Sequence, residues 1–149
     1  MRLVYCSGLA AALCLLSGQA AAQTWLASFP SGDWDFAGNW TPATVPNSDA
    51  ATAVFGNSTT TSLGFANNTH NIGGMTFNAG APAYSFSLTG PQIFTFRGAG
   101  IVNNSSNAPS LTVSSDTALS ANPLAFVKAT SAGNANITVN AASAVGFFN

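Results

Sequence analysis

The second half of the chain contains short alternating phrases such as Tyr84-Ser85-Phe86-Ser87-Leu88, Ile93-Phe94-Thr95-Phe96 and Asn136-Ile137-Thr138-Val139. Apolar residues occupy every second position and small or hydroxyl residues lie between them, which is the pattern of half-buried β-strands. Clusters of Gly, Asn, Ser, Ala and Pro separate the phrases. No phrase has helical periodicity, so the sequence predicts an all-β fold.

The spacing of the phrases indicates how the strands are arranged. Comparable phrases recur about every 20 residues, as from Phe77 to Phe96 and from Phe126 to Phe147, a period that is typical of stacked solenoid coils. The gaps are uneven and contain prolines, which fits an antiparallel β-sandwich equally well. Alternation alone leaves both folds open.

The first 22 residues have the features of an export signal. An apolar run, Leu3–Leu16, follows a short positive start, and small residues precede a predicted cleavage site between Ala22 and Gln23. Both cysteines, Cys6 and Cys14, lie in this segment. The sequence therefore predicts a secretory signal peptide over residues 1–22 and an exported mature chain without a disulfide of its own.

Charged residues make up only 5% of the chain. The mature part has two cations, Arg97 and Lys128, which give no electrostatic basis for binding nucleic acid or anionic lipid. Asn, Ser, Thr and Gly supply the polar surface instead. Neutral side chains suit stacked strands, because they can lie in register without the repulsion of like charges.

All three tryptophans lie near the start of the mature chain. A solenoid has an unpaired end that must be covered, so we predict that residues 23–71 form an aromatic N-terminal cap and the first coil. Residues 72–149 are then the β-solenoid repeats. The alternative is a small secreted carbohydrate-binding module, in which exposed indole faces stack on sugar rings. Its ligand-binding residues would be Trp34, Trp40 and Trp25.

The cap also contains an acidic motif. Asp33-Trp34-Asp35 begins like a calcium loop, but Ala37 and Thr44 occupy positions where further ligands are needed. We expect the two carboxylates to accept hydrogen bonds from backbone amides in the turn around Gly32 and Gly38. The sequence predicts no metal site and no cofactor.

Motifs for catalysis are incomplete. His70 has no second His, no Cys and no Glu in the mature chain as a partner, so we expect a solvated loop histidine in the polar segment 57–71. Gly98–Asn103 begins like a dinucleotide fingerprint but lacks its third glycine, and we interpret it as a glycine corner after the Ile93–Phe96 strand. We predict that the protein is not an enzyme.

Three regions carry a family resemblance. The first, with Gly32-Asp33-Trp34 and Gly38-Asn39-Trp40, continues into Val45–Asp49 and Ala53-Val54-Phe55. The others are Gly98–Ser105 and a phrase of Ser131-Ala132-Gly133-Asn134-Ala135 followed by Ile137-Thr138 and Val145-Gly146-Phe147. In this order, they resemble bacterial autotransporter passenger proteins that carry autotransporter-associated β-strand repeats.

The resemblance implies a right-handed parallel β-helix, which favours the solenoid over the sandwich. It also implies export to the periplasm and translocation by a C-terminal outer-membrane β-barrel of the same polypeptide. Passengers of this type are surface adhesins or structural stalks, and their partners are host or neighbouring-cell surfaces, glycans included. No catalytic residues come with the repeat. Because the barrel is missing from the 149 residues, we expect the repeats to be truncated at the C-terminus and the full-length protein to be cell-surface or extracellular, associated with the outer membrane.

Overall fold

The computed structural model describes residues 21–28, 31–67, 69–114, 123–128, 130–140 and 143–149. The predicted signal peptide as far as residue 20, with Cys6 and Cys14, lies outside this part of the chain. The described residues form a short 3₁₀ helix, Ala37–Asn39, and these strands: β1 Ala22–Trp25, β2 Trp40–Thr41, β3 Ser48–Phe55, β4 Ser62–Gly64, β5 Thr69–Phe77, β6 Ser85–Thr89, β7 Ile93–Asn103, β8 Ser110–Ser114, β9 Leu124–Val127, β10 Asn136–Val139 and β11 Val145–Phe148.

The strands form two sheets that the chain visits alternately. One sheet has the order β11-β9-β7-β5-β3-β1-β2 and the other β10-β8-β6-β4. Among the described strands every pairing is parallel except that of β1 with β2. Each circuit of the chain adds one strand to each sheet, which produces a β-solenoid of about four turns. The predicted parallel β-helix is confirmed, and the antiparallel β-sandwich is wrong.

Two strands contain a corner at which the alternation changes phase. In β5, His70 and Ile72 face the core, and after a register shift Met75 and Phe77 face it. Across this shift the inward positions change from even to odd numbers, and Gly73 of β5 lies opposite three residues of β7, 97–99. The same change in β7 follows Phe96. Each of these strands therefore consists of two segments that line different parts of the core.

Glycine is required at this corner because successive coils come close together there. A Cβ atom on Gly98 would lie 2.7 Å from the carbonyl oxygen of Gly73 in the coil before it. Gly100 has a φ of 73° and forms a parallel bridge with Ser131 of the next coil. The interpretation of Gly98–Asn103 as a glycine corner is thus confirmed, although the corner lies inside β7 and not after it.

The predicted repeat spacing is correct for one pair of phrases and wrong for another. Phe126 pairs with Phe147, as predicted. Phe77 pairs instead with Phe55 and Asn103, whereas Phe96 pairs with Ile72 and Phe126. Phe77 and Phe96 lie on opposite sides of the corner and therefore in different stacks. Coils are also longer than predicted, since Thr52, Gly74 and Gly100 are successive partners with separations of 22 and 26 residues (52 to 74, and 74 to 100).

The core consists of side chains stacked from coil to coil. Phe96 and Phe126 are parallel within 8°, with ring centroids 4.8 Å apart, and Phe55 stacks on Phe77 at 4.9 Å. These distances equal the strand spacing in a sheet, because paired residues in parallel strands lie directly above one another. In the second sheet, Leu63, Phe86 and Leu111 form a corresponding buried row.

Strand β5 continues across the position at which the sequence analysis separated the first coil from the repeats. The boundary predicted between residues 71 and 72 lies within β5, and the segment 57–71 contains β4 and the start of β5. Among the described residues there is no helix long and apolar enough to cross a membrane.

Candidate functional site

The three tryptophans form a buried cluster at the N-terminal end of the solenoid. Trp34 has no solvent-exposed surface, and Trp25 and Trp40 are each 2% exposed. The ring of Trp40 packs edge-on against both of the others, with centroids 4.8 Å from Trp34 and 5.0 Å from Trp25. All three rings also contact Phe55 of the first complete coil. They therefore cover the end of the core, as an N-terminal cap does.

Hydrogen bonds hold the polar edges of two indoles inside the cap. Trp40 Nε1 donates to the carbonyl oxygen of Trp34 at 2.8 Å, and Trp25 Nε1 donates to that of Thr60 at 2.9 Å. Asn39 Nδ2 donates to the carbonyl oxygens of Ser31 and Asp33, which closes the turn around the buried rings. No indole face is exposed for stacking on a sugar, so the tryptophans do not provide the platform that the carbohydrate-binding alternative requires.

Asp35 joins the cap to the coil that follows. Its Oδ2 accepts hydrogen bonds from the backbone amides of Ala66 and Asn67 at 2.8 and 2.9 Å, and its Oδ1 lies 2.9 Å from Nε2 of His70. Burial by itself raises the pKa of Asp35, but the hydrogen bonds from Asn67 and His70 outweigh it and lower the pKa below its usual value.

Two predictions about these polar residues were wrong in detail. His70 was expected in a solvated loop, but it is 1% exposed, stacked on Phe94 and paired with Asp35. The Asp35 carboxylate binds amides of the segment after β4, not those of its own turn. Asp33 does bind an amide of its own turn, as predicted, because its Oδ1 accepts a hydrogen bond from the Asp35 amide at 2.9 Å. In both cases the partner is distant in sequence, so local motifs gave no signal for it.

The described residues contain no group of three or more His, Cys, Asp and Glu side chains placed to hold a metal ion. The Asp33-Trp34-Asp35 motif instead stabilises the cap, because its two carboxylates bind backbone amides. These bonds hold the turn that contains Trp34 against the segment after β4.

A second feature lies on the outer surface of the smaller sheet. In β4, β6 and β8 the inward positions are buried in the core, and β10 pairs in register with β8, so the intervening positions of all four strands face outward. We call this outward surface the ladder face. Its in-register partners form two rows: Ser62, Ser85, Ser110 and Asn136 in one, and Gly64, Ser87, Thr112 and Thr138 in the other.

At the β4 end of the ladder face, which we call its head, there is a shallow depression of about 370 Å³. Gly64 lies in it, and the position where a Cβ would project from Gly64 is open space. A parallel bridge between Asp33 and Gly64 extends the second row by one step, so that a carboxylate stands at its start. The alternation of Ser and Thr was visible in the sequence, but the rows depend on register between coils and were not predicted.

No family model, curated protein or solved structure matches this chain. The class of protein is therefore defined by the fold itself, as a parallel β-solenoid with a buried aromatic cap. Its two candidate features are the cap and the ladder face.

Proposed function

We propose that this chain is a structural and adhesive β-solenoid segment of an exported surface protein, comparable in role to an autotransporter passenger. The observation that carries the proposal is a continuous parallel stack closed at one end. At that end β2 pairs antiparallel with β1, and the buried tryptophans cover the core. A stack that is closed at its start suits a rod that projects from an anchored protein.

The stack also has the rigidity that a stalk or adhesin needs. Coils repeat at about 4.8 Å, so four of them hold about 20 Å of outer surface in fixed geometry. Side-chain bonds between coils add to the backbone pairing: Asn140 Nδ2 donates to Ser114 Oγ at 2.7 Å, and Arg97 Nε donates to Asn71 Oδ1 at 3.1 Å. A rigid outer surface of this kind can display binding groups without reordering them on contact.

The exported location rests on sequence features. The predicted signal over residues 1–22 and the passenger-like phrases support it. Cleavage between Ala22 and Gln23 would remove one residue of β1 and leave Gln23, Thr24 and Trp25, whose pairing with β3 and β2 is compatible with processing. The cap would therefore stand at the very start of the mature protein.

The test is the location of the protein in cells that express it from its own gene. Intact cells are treated with an external protease, and the protein is followed by an antibody raised against it. We expect the protein to be degraded on intact cells, and its N-terminal sequence to begin at Gln23. Full protection in intact cells, with degradation only after lysis, would contradict a surface role. A periplasmic enzyme is used as the control for cell integrity.

A further inference from the structure

The ladder face is an unusually uniform surface. Its two rows consist of Ser, Thr, Asn and one Gly, with no charged and no aromatic residue on the outward positions of its four strands. None of the described residues donates to or accepts from the hydroxyl groups of Ser87, Thr112 and Thr138, and Ser87 and Thr138 are exposed. The second row therefore presents hydroxyl groups that are available to a ligand.

We propose that the ladder face binds an extended, uncharged polysaccharide whose chain lies along the solenoid axis. The inference deepens the proposed adhesive function, on which it rests, by naming the binding surface and the chemical class of its partner. A hydroxyl group both donates and accepts, as the hydroxyl groups of a neutral sugar do. A polyanion would lose its own hydration here and gain no opposite charge in return.

The geometry of the rows suits a chain polymer. Paired residues in neighbouring strands are about 4.8 Å apart, which is close to the length of one sugar ring in an extended glycan. The two rows are separated by two residues along each strand, about 6.6 Å, so a single chain fits between them. Each coil then meets one sugar residue, and the hydroxyl contact of the second row recurs from β6 to β10.

The depression at the head of the ladder face gives the bound polysaccharide a defined starting point. Gly64 leaves room there for a ring, and Asp33 brings a carboxylate to the same position. A carboxylate accepts stronger hydrogen bonds from sugar hydroxyls than a neutral group does. One Oδ atom of Asp33 already binds the Asp35 amide, which holds the carboxylate in place.

Binding of this kind depends on the length of the polysaccharide. Single hydrogen bonds to exposed hydroxyls are individually weak, because each replaces a bond to water. Repeated along several coils they act together, since every contact after the first is intramolecular. We therefore expect long chains to bind and short oligosaccharides of the same sugar to compete poorly.

The experiment is a depletion assay with insoluble polysaccharides and protein produced from the full 149-residue chain. The probes are microcrystalline cellulose and colloidal chitin as extended neutral chains, insoluble amylose as a helical neutral chain, and calcium alginate as an anionic one. The test variant removes three hydroxyls of the second row by Ser87→Ala, Thr112→Val and Thr138→Val. The matched control removes three outward hydroxyls of the other sheet by Thr24→Val, Thr52→Val and Thr76→Val.

We expect the wild-type protein and the control variant to bind cellulose or chitin, and the test variant to bind roughly tenfold more weakly or worse. Circular dichroism and urea unfolding establish that both variants keep the fold. Because Asp33→Asn keeps an acceptor for the Asp35 amide, it supplies a second, milder variant that should also weaken binding.

Three outcomes would overturn the inference: no binding to either extended polysaccharide, equal binding by the folded test variant, or equal binding to amylose and alginate. If the test variant fails to fold, the same depletion assay is decided by Asp33→Asn, and binding equal to that of the wild type would overturn the inference. The assay is independent of cell location. A protein that binds chitin or cellulose but stays inside intact cells would refute the surface role and leave the ladder-face assignment standing.

Discussion

His70 and Asp35 form a buried pair that connects the cap of this solenoid to its second coil. Nε2 of His70 lies 2.9 Å from Oδ1 of Asp35, and the two side chains are 1% and 7% exposed. The contact spans 35 residues of sequence. Since Asp35 also binds two amides after β4, one carboxylate holds together the cap turn, the segment after β4 and the start of β5.

Replacement of Asp35 by Asn should destabilise the protein by about 1–3 kcal/mol at neutral pH, because a neutral amide has one acceptor oxygen in place of the two carboxylate oxygens that face the amides of the segment after β4 and the His70 ring. The pKa of Asp35 is lowered in the folded protein, so its contribution is present above the unfolded-state pKa and is lost as pH falls through the folded-state pKa. The difference between wild type and variant should therefore shrink below about pH 4. Urea unfolding at several pH values measures it.

The control for this variant is Asp49→Asn. Asp49 is 56% exposed and lies 3.6 Å from Arg97, so the change should alter the free energy of unfolding by less than about 1 kcal/mol. Equal effects of the two substitutions would argue against a special role for the buried carboxylate.

Replacement of Trp34 by Ala should cost about 3–5 kcal/mol, because a fully buried ring is removed from the centre of the cap. The same loss should expose the end of the core and promote association. Phe36→Ala is the comparison within the cap, since Phe36 is 50% exposed and its truncation leaves no comparable cavity. Thermal unfolding and light scattering provide the measurement. A Trp34→Ala protein as stable as wild type would mean that the ring is not structural.

Gly100→Ala should be more destabilising than Gly90→Ala. Both residues have positive φ values, 73° and 67°, so each alanine carries the cost of about 1 kcal/mol for a left-handed backbone. At Gly100 an added Cβ would also lie 2.7 Å from the Ser131 nitrogen, whereas at Gly90 it would meet nothing within 4 Å. The difference between the two free energies of unfolding isolates the close approach of neighbouring coils. No difference would indicate that the coils can move apart at this corner.

Tyr84 should ionise at higher pH in the folded protein than in the unfolded one. Burial raises the pKa of Tyr84, and its hydroxyl donates to the carbonyl oxygen of Gly56 at 2.9 Å. Because the folded-state pKa is raised, the stabilisation is complete below the unfolded-state pKa and is lost as pH rises above about 10. Phenolate absorbance as a function of pH, with and without urea, measures both values. Tyr84→Phe should remove the alkaline dependence.

Much of the fold was predictable because strand alternation is local. Phrases such as Ser85–Leu88 and Leu111-Thr112-Val113 lie in strands, and the glycine corner was recognisable from Gly98 and Gly100. The burial of the three tryptophans was predictable too, because the first coil of a solenoid has an unpaired end that bulky side chains must cover. Only part of the ladder face was predictable. The sequence shows the hydroxyl residues of each strand, but it does not show which residues of the neighbouring strands lie beside them.

The sequence by itself determined which residues form strands and which positions on each strand can face a core, because both follow from a period of two along a single segment. Only the tertiary structure decided which strand lies on which. Phe77 stacks on Phe55 and not on Phe96, because a corner within β5 and β7 changes the phase of the alternation between them. It also decided that His70 is buried against Asp35 and that the hydroxyl rows align, since both depend on contacts between coils that no local pattern encodes.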